Sequence, residues 1–315
     1  MVETQGDLSE QWGLIAASVR GAKHIQSGLP NQDAYQYKRA KDYLFLATAD
    51  GHGSLKYFRS QIGAKLAVEA AEEVIIKEAL VDGFDPKTLP LVKERVKEKL
   101  PVRIVKSWRE KVEQYQEDNP FVEDETALAK LKEIETKQGP ELREQIESSS
   151  DGYLKAYGST LTAVLVTEHF ILYLQLGDGD IVTMSQWGEV TRVFADDQLG
   201  NATNSLSMAD PAPYFKISLT SATKKKPNLF FIATDGYANS FRSEEDFFKV
   251  ADDFAELLPK QGPQFLKDNL PTWLKETTEA GSGDDITVLL AYQNSLLTEQ
   301  ENSEEFETLQ ARKDD

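Results

Sequence analysis

At 315 residues with 40% hydrophobic side chains, the chain is long enough to bury a sizeable core. A net charge of −18 and a pI near 4.7 oppose any approach to nucleic acid or to an anionic membrane surface, since both would repel it before contact. The absence of cysteine excludes disulfides, thiolate metal sites and a cysteine nucleophile, and with them the thiol-dependent phosphatases and proteases.

In chain order, the opening MVETQGDLSEQWG has neither the basic nor the apolar stretch of a secretory signal. No apolar run approaches the about 20 residues needed to span a bilayer. A cytoplasmic, monomeric protein is expected. Residues 12–20 and 35–50 read as strands, with the polar linker GAKHIQSGLPNQD between them. Residues 55–80 carry Phe58, Ile62, Leu66, Val68, Ala71, Val74 and Ile75 close to the helical period. From 85 to 150 the chain turns rich in Lys, Glu and Gln, with apolar positions that predict two or three amphipathic helices broken near Pro101, Pro120 and Pro140. A helical face packed on a sheet explains such a region, and a regulatory arm is the alternative.

Strands are predicted at 160–167, 169–176, 181–185 and 189–194, the last two joined by a Gln186-Trp187-Gly188-Glu189 turn. A polar stretch over 195–228 reads as a flap-like loop that selects substrate. Strand 229–234, helices 243–258 and 263–279 and strand 286–292 follow, so that one domain covers 1–295 and an acidic, flexible tail 296–315. Most strands are apolar on both faces, so both faces must be covered. The helices fall in two blocks rather than between every pair of strands. The expected fold is α+β: a four-layer αββα sandwich of two antiparallel sheets packed face to face with helices outside.

Four aspartates each sit at the end of an apolar run: Asp50 closes YLFLATAD, Asp178 closes HFILYLQLGD, Asp235 closes NLFFIATD, and Asp284 opens the run DDITVLLAY. Two carboxylates about 5 Å apart repel by roughly 3 kcal/mol at an effective dielectric near 20, so four that converge call for a divalent cation.

Asn31-Gln32-Asp33-Ala34, Asp50-Gly51-His52-Gly53, Gly158-Ser159-Thr160, Gly177-Asp178-Gly179-Asp180, Ala233-Thr234-Asp235-Gly236 and Gly283-Asp284-Asp285-Ile286-Thr287-Val288 occur in that order. The series resembles the metal-dependent protein Ser/Thr phosphatases, the protein phosphatase 2C family. The stretch from Lys23-His24 to Gln32-Asp33-Ala34 is similar to a bacterial branch of it. The resemblance implies hydrolysis of phosphoserine and phosphothreonine in a phosphoprotein substrate by a metal-activated water, with no phosphoenzyme. It implies two Mg²⁺ or Mn²⁺ ions, with a looser site for a third, held by oxygen ligands. Asp50 would bridge the two ions, with the Gly51 carbonyl on one and Asp235 and Asp284 on the other. Asp178 with Asp235 would hold the third. Asp33 and Gln32 would stand behind the ligands, Gln32 where the family often has a glutamate. His52 would be the general acid for the leaving oxygen, and Arg20, Lys23 and His24 compete to bind phosphate. A catalytically weak phosphoprotein-binding module, or a hydrolase of small phosphate esters or nucleotides, would use the same fold.

Overall fold

The computed structural model describes residues 7–80, 89–148, 151–195, 203–222 and 226–298. Within them the strands are β1 (Trp12–Val19), β2 (Ala34–Arg39), β3 (Tyr43–Ala49), β4 (Leu161–Thr167), β5 (Phe170–Leu176), β6 (Asp180–Met184), β7 (Val190–Arg192), β8 (Lys216–Ser221), β9 (Leu229–Ala233) and β10 (Ile286–Gln293). The helices are α1 (Leu8–Gln11), α2 (Ala22–Ser27), α3 (Ser60–Ala79), α4 (Leu89–Asp118), α5 (Glu125–Gln138), α6 (Pro140–Ser148), α7 (Asp235–Ala238) and α8 (Glu244–Ala280).

Two five-stranded sheets result, one ordered β1-β10-β9-β6-β7 and the other β2-β3-β4-β5-β8. Every strand pairing is antiparallel.

Period-two alternation within apolar strands assigns each side chain to a layer. Leu44 and Leu46 of β3, Val164 and Val166 of β4, Phe230 and Ile232 of β9 and Leu289 and Ala291 of β10 meet Trp12 between the sheets. The intervening Phe45, Ala47, Ala163 and Leu165 face outward into a second cluster with α3, α4 and α5. Leu229, Phe231, Val288 and Leu290 face the other way, against Phe247, Phe254 and Leu266 of α8. Strands apolar on both faces thus sit in a sandwich with helices on each outer side, as their composition requires.

Small residues let α3 lie close. Gly63, Ala64, Ala67, Ala70 and Ala71 are buried along it, and a Cβ at Gly63 would stand 1.8 Å from the Tyr157 carbonyl oxygen.

Several boundaries differ from those read in the sequence. Residues 35–50 form a hairpin, turned at Ala40, whose N–H donates to the Tyr43 carbonyl at 2.9 Å. The polar linker contains the short helix α2. Pro101 does not break its helix: α4 continues through it, because Val96, Leu100, Ile104, Val105, Trp108 and Val112 form a buried stripe that outweighs one lost hydrogen bond. Pro120 and Pro140 do stand at helix boundaries, and Gly262, at φ 82°, kinks α8 between the two predicted helices. The 195–228 stretch carries β8, which extends the second sheet by pairing with β5. Its residues 196–202 and 223–225 lie outside the described residues. Leu296, at the start of the expected tail, is buried in a 3-10 turn over Asn294–Leu297, and residues 299–315 lie outside the described residues. No helix among the described residues is long and apolar enough to cross a membrane.

Candidate metal centre

The apolar strands deliver their aspartates to one end of the sandwich. Asp50 follows β3, Asp178 lies in the β5–β6 turn, Asp235 opens α7, and Asp284 and Asp285 lead into β10. Gly177, at φ 97°, adopts the left-handed backbone that lets β5 turn sharply enough to present Asp178. The Asp50 backbone is held from both sides, its N–H donating to Thr160 Oγ1 and its carbonyl accepting from the Thr160 N–H, each at 2.9 Å. Gly51 donates its N–H to the Gln32 carbonyl at 3.2 Å, and a Cβ there would fall 2.6 Å from that oxygen. Only glycine lets the two segments approach so closely.

Asp50, Asp178 and Asp235 each bring a carboxylate oxygen within 4.8 Å of the others. Burial, reinforced by the charges of Asp235, Asp33, Asp284 and Asp178, holds the Asp50 carboxyl well above the usual range. Burial and then the Asp178 and Asp284 charges push Asp235 up to about 7. Asn239 donates to Asp235 Oδ2 at 2.9 Å and Thr203 to Asp178 Oδ2 at 2.7 Å, while Asp178 Oδ1 is buried with no partner among the described residues. Asp33 accepts from Thr234 Oγ1 (2.8 Å) and Thr287 Oγ1 (2.7 Å), its other oxygen is likewise orphaned, and burial followed by the Asp285 charge raises its pKa well above the usual range. Crowded carboxylates with unfilled lone pairs and an all-oxygen donor set fit Mg²⁺ or Mn²⁺.

Asp284 lies outside that trio. Its Oδ1 is 3.4 Å from His24 Nε2, and with His24 and Asp285 it forms a separate group, although its charge still acts on Asp50 and Asp235. His52 packs its ring on Tyr57, with centroids 4.7 Å apart, and Gly158 leaves room for both rings. Burial lowers the His52 pKa, and the Asp178 charge pulls it back up.

The cationic candidates are tied to the backbone or to acids: Arg20 donates to the His24 carbonyl at 2.9 Å, Lys23 to the Ser282 carbonyl at 2.6 Å, and His24 faces Asp285 at 2.9 Å.

Two features escaped the sequence. Asp285, 3% exposed, is a hub that accepts from the Gly21 and Gln32 amides; its only signal was the doubled aspartate of the last motif. A cavity of about 470 Å³ opens beside Asp178 and Asp235, with Arg192, Lys216 and Arg242 in its wall. Those cations come from β7, β8 and the segment before α8, so no local pattern announces them.

The profile of the family described as protein phosphatase 2C matches residues 20–275. Among solved structures, a bacterial serine phosphatase bearing a point substitution is 14% identical with a TM-score of 0.53, covering 89% of this chain and 97% of that one. The S. agalactiae serine/threonine phosphatase is 15% identical at a TM-score of 0.53, covering 89% and 99%. The catalytic domain of the serine/threonine protein phosphatase PstP, in complex with two manganese ions, is 15% identical at 0.49, covering 90% and 98%. No curated protein matches significantly. With its sandwich shared by the first two of these structures and most of its length, residues 20–275, matched by the family profile, the chain belongs to the protein phosphatase 2C family and is a protein-serine/threonine phosphatase.

Proposed function

We propose that the chain hydrolyses phosphoserine and phosphothreonine in proteins with water as nucleophile, dependent on Mg²⁺ or Mn²⁺ held by Asp50, Asp178 and Asp235, with Asp284, the Gly51 carbonyl and the layer behind them (Asp33, Gln32) completing the centre. The observation that carries this reading is the trio itself: three carboxylates within 4.8 Å, two of them with pKa values driven up by burial and mutual charge. A fold that maintains such repulsion without a cation gains nothing in stability from it.

When bound, divalent cations neutralise that charge and acidify water toward neutrality, so no side-chain base or nucleophile is required. The protein's own residues do the rest. Thr160 fixes the Asp50 backbone, Asn239 and Thr203 each occupy one carboxylate oxygen and leave the other for a ligand, and Thr234 and Thr287 hold Asp33 in place. His52 delivers a proton to the departing serine or threonine oxygen. Burial works against its protonation, and an incoming phosphate dianion adds to the favourable Asp178 charge. Arg20 and Lys23 keep further N–H donors beyond the backbone bonds they make, enough to contact a phosphoryl oxygen.

The test is Mn²⁺-dependent phosphate release from a phosphothreonine peptide and from a nucleotide under the same conditions. Asp50→Asn and Asp235→Asn should each cut peptide turnover by at least about a hundredfold while circular dichroism stays unchanged. Unimpaired turnover in either variant rejects the reading, and a nucleotide preferred over the peptide reassigns the substrate.

A further inference from the structure

We propose that His24 Nε2, Asp284 and Gln32 Oε1 form a mixed nitrogen–oxygen ligand set for one divalent cation, and that this site prefers a transition ion such as Mn²⁺ over Mg²⁺. The proposal rests on the metal-centre reading above and adds an imidazole to it.

The imidazole is oriented by a buried carboxylate that already accepts three hydrogen bonds. Asp285 accepts from the Gly21 N–H at 2.6 Å through Oδ1, and from the Gln32 N–H at 2.6 Å and His24 Nδ1 at 2.9 Å through Oδ2. A carboxylate in that position keeps the proton on Nδ1, so the nitrogen that can give up its proton to an incoming cation is Nε2. Carboxylate–histidine pairs that aim the second nitrogen at a metal have this form.

Nε2 faces Asp284 Oδ1 at 3.4 Å. That is long for a charge-assisted hydrogen bond, which closes to about 2.7–2.9 Å. Ligand atoms each about 2.1 Å from an octahedral cation stand about 3.0 Å apart, so closing this pair by about 0.4 Å would place both on one ion. Asp284 is half-exposed, which gives an ion a route in from solvent.

Gln32 supplies the independent observation. Its side chain is 4% exposed, and Oε1 is buried with no partner among the described residues. The amide orientation is fixed by its nitrogen, which donates to Ser60 Oγ at 2.6 Å and to the His52 carbonyl at 3.5 Å. Oε1 and His24 Nε2 look onto the same space above Gly53, where a methyl group would stand 3.6 Å from the first and 3.8 Å from the second. A buried carbonyl oxygen left without a donor is costly unless something positive meets it.

One carboxylate, one amide oxygen and one imidazole carry a single negative charge against the cation's two positive ones. Mg²⁺ dehydrates reluctantly and favours oxygen, whereas later first-row ions accept imidazole readily. His24, engaged in this way, leaves phosphate binding to other cations.

The experiment uses the full chain stripped with chelator, reloaded with Mn²⁺ and examined by electron spin echo envelope modulation for coupling to a ¹⁴N nucleus. Coupling is expected in the unaltered protein and should disappear in His24→Gln. Gly53→Ala, which meets Gln32 Oε1 and His24 Nε2 only at ordinary van der Waals distance, should fill the space between them and weaken Mn²⁺ binding at this site about tenfold with the His24 imidazole retained, and both variants should narrow the Mn²⁺ over Mg²⁺ preference in competition titrations. Bound manganese without nitrogen coupling, or coupling that survives His24→Gln, overturns this proposal alone. Failure to bind manganese at all overturns it together with the metal-centre reading.

Discussion

Asp235 makes the metal-free protein sensitive to pH in a predictable direction. Its carboxyl is raised from 3.8 to about 7 in the fold by burial and by the Asp178 and Asp284 charges. The folded state therefore binds more protons than the unfolded chain between those values. The stability this carboxyl contributes is fully present below about 3.8 and is lost as pH rises through about 7. Urea midpoints in EDTA should drop between pH 5 and pH 8, and saturating Mn²⁺ should abolish the drop. A midpoint that rises with pH in EDTA would contradict the assigned burial.

His52 is separable by leaving group. An aryl phosphate leaves without protonation, whereas a serine or threonine oxygen does not. His52→Asn should slow phosphopeptide hydrolysis by about a hundredfold, within the range of general-acid contributions, and change aryl phosphate turnover only a few-fold. Equal losses on both substrates would make His52 structural.

At the scale of elements, the charged helical region joins the rest of the protein through Arg59, the residue just before α3. Arg59 is 5% exposed and donates to Asp124 at 2.7 Å, to Tyr157 Oη at 2.7 Å, to Gln116 at 3.0 Å and to the Asn119 carbonyl at 2.8 Å. Its guanidinium also lies 4.7 Å from the Phe121 ring centroid. It therefore ties the start of α3 to the end of α4 and the cap of α5. Arg59→Ala should lower stability by about 2 kcal/mol, the scale of hydrogen bonds from a charged group that leave Tyr157, Gln116 and the Asn119 carbonyl without their donor, as measured by urea denaturation. Arg59→Lys should recover less than half of that, because an ammonium cannot make the forked contacts.

The amphipathic pattern of this region was legible, since Val96, Leu100, Ile104 and Trp108 repeat at helical spacing. Arg59's partners were not, because they lie 57 to 98 positions away along the chain. The strand β8 was missed for a related reason. KISLTS buries only Leu219, so its extended form comes from the free edge of β5 rather than from its own composition.

For the whole molecule, cation binding and folding are linked. An ion that binds only the native form raises stability by RT ln(1 + [L]/Kd), about 2.7 kcal/mol at a hundredfold excess over Kd. Millimolar Mn²⁺ should raise the melting temperature by several degrees, and Asp50→Asn should lose most of that rise while melting higher than the unaltered chain in EDTA, its repulsion relieved. Differential scanning calorimetry checks both.

The sequence by itself determined the layers and the candidate ligands. Strands apolar on both faces can only be satisfied between two covers, and an aspartate after such a strand must emerge at its tip. Tertiary structure alone decided which carboxylates meet. Asp50, Asp178 and Asp235 close on one another, whereas Asp284 turns to His24, held in place by Asp285. Whether two side chains share an ion depends on ångström differences in sheet register and turn geometry, and those are fixed by packing across both sheets at once rather than by any local run of residues.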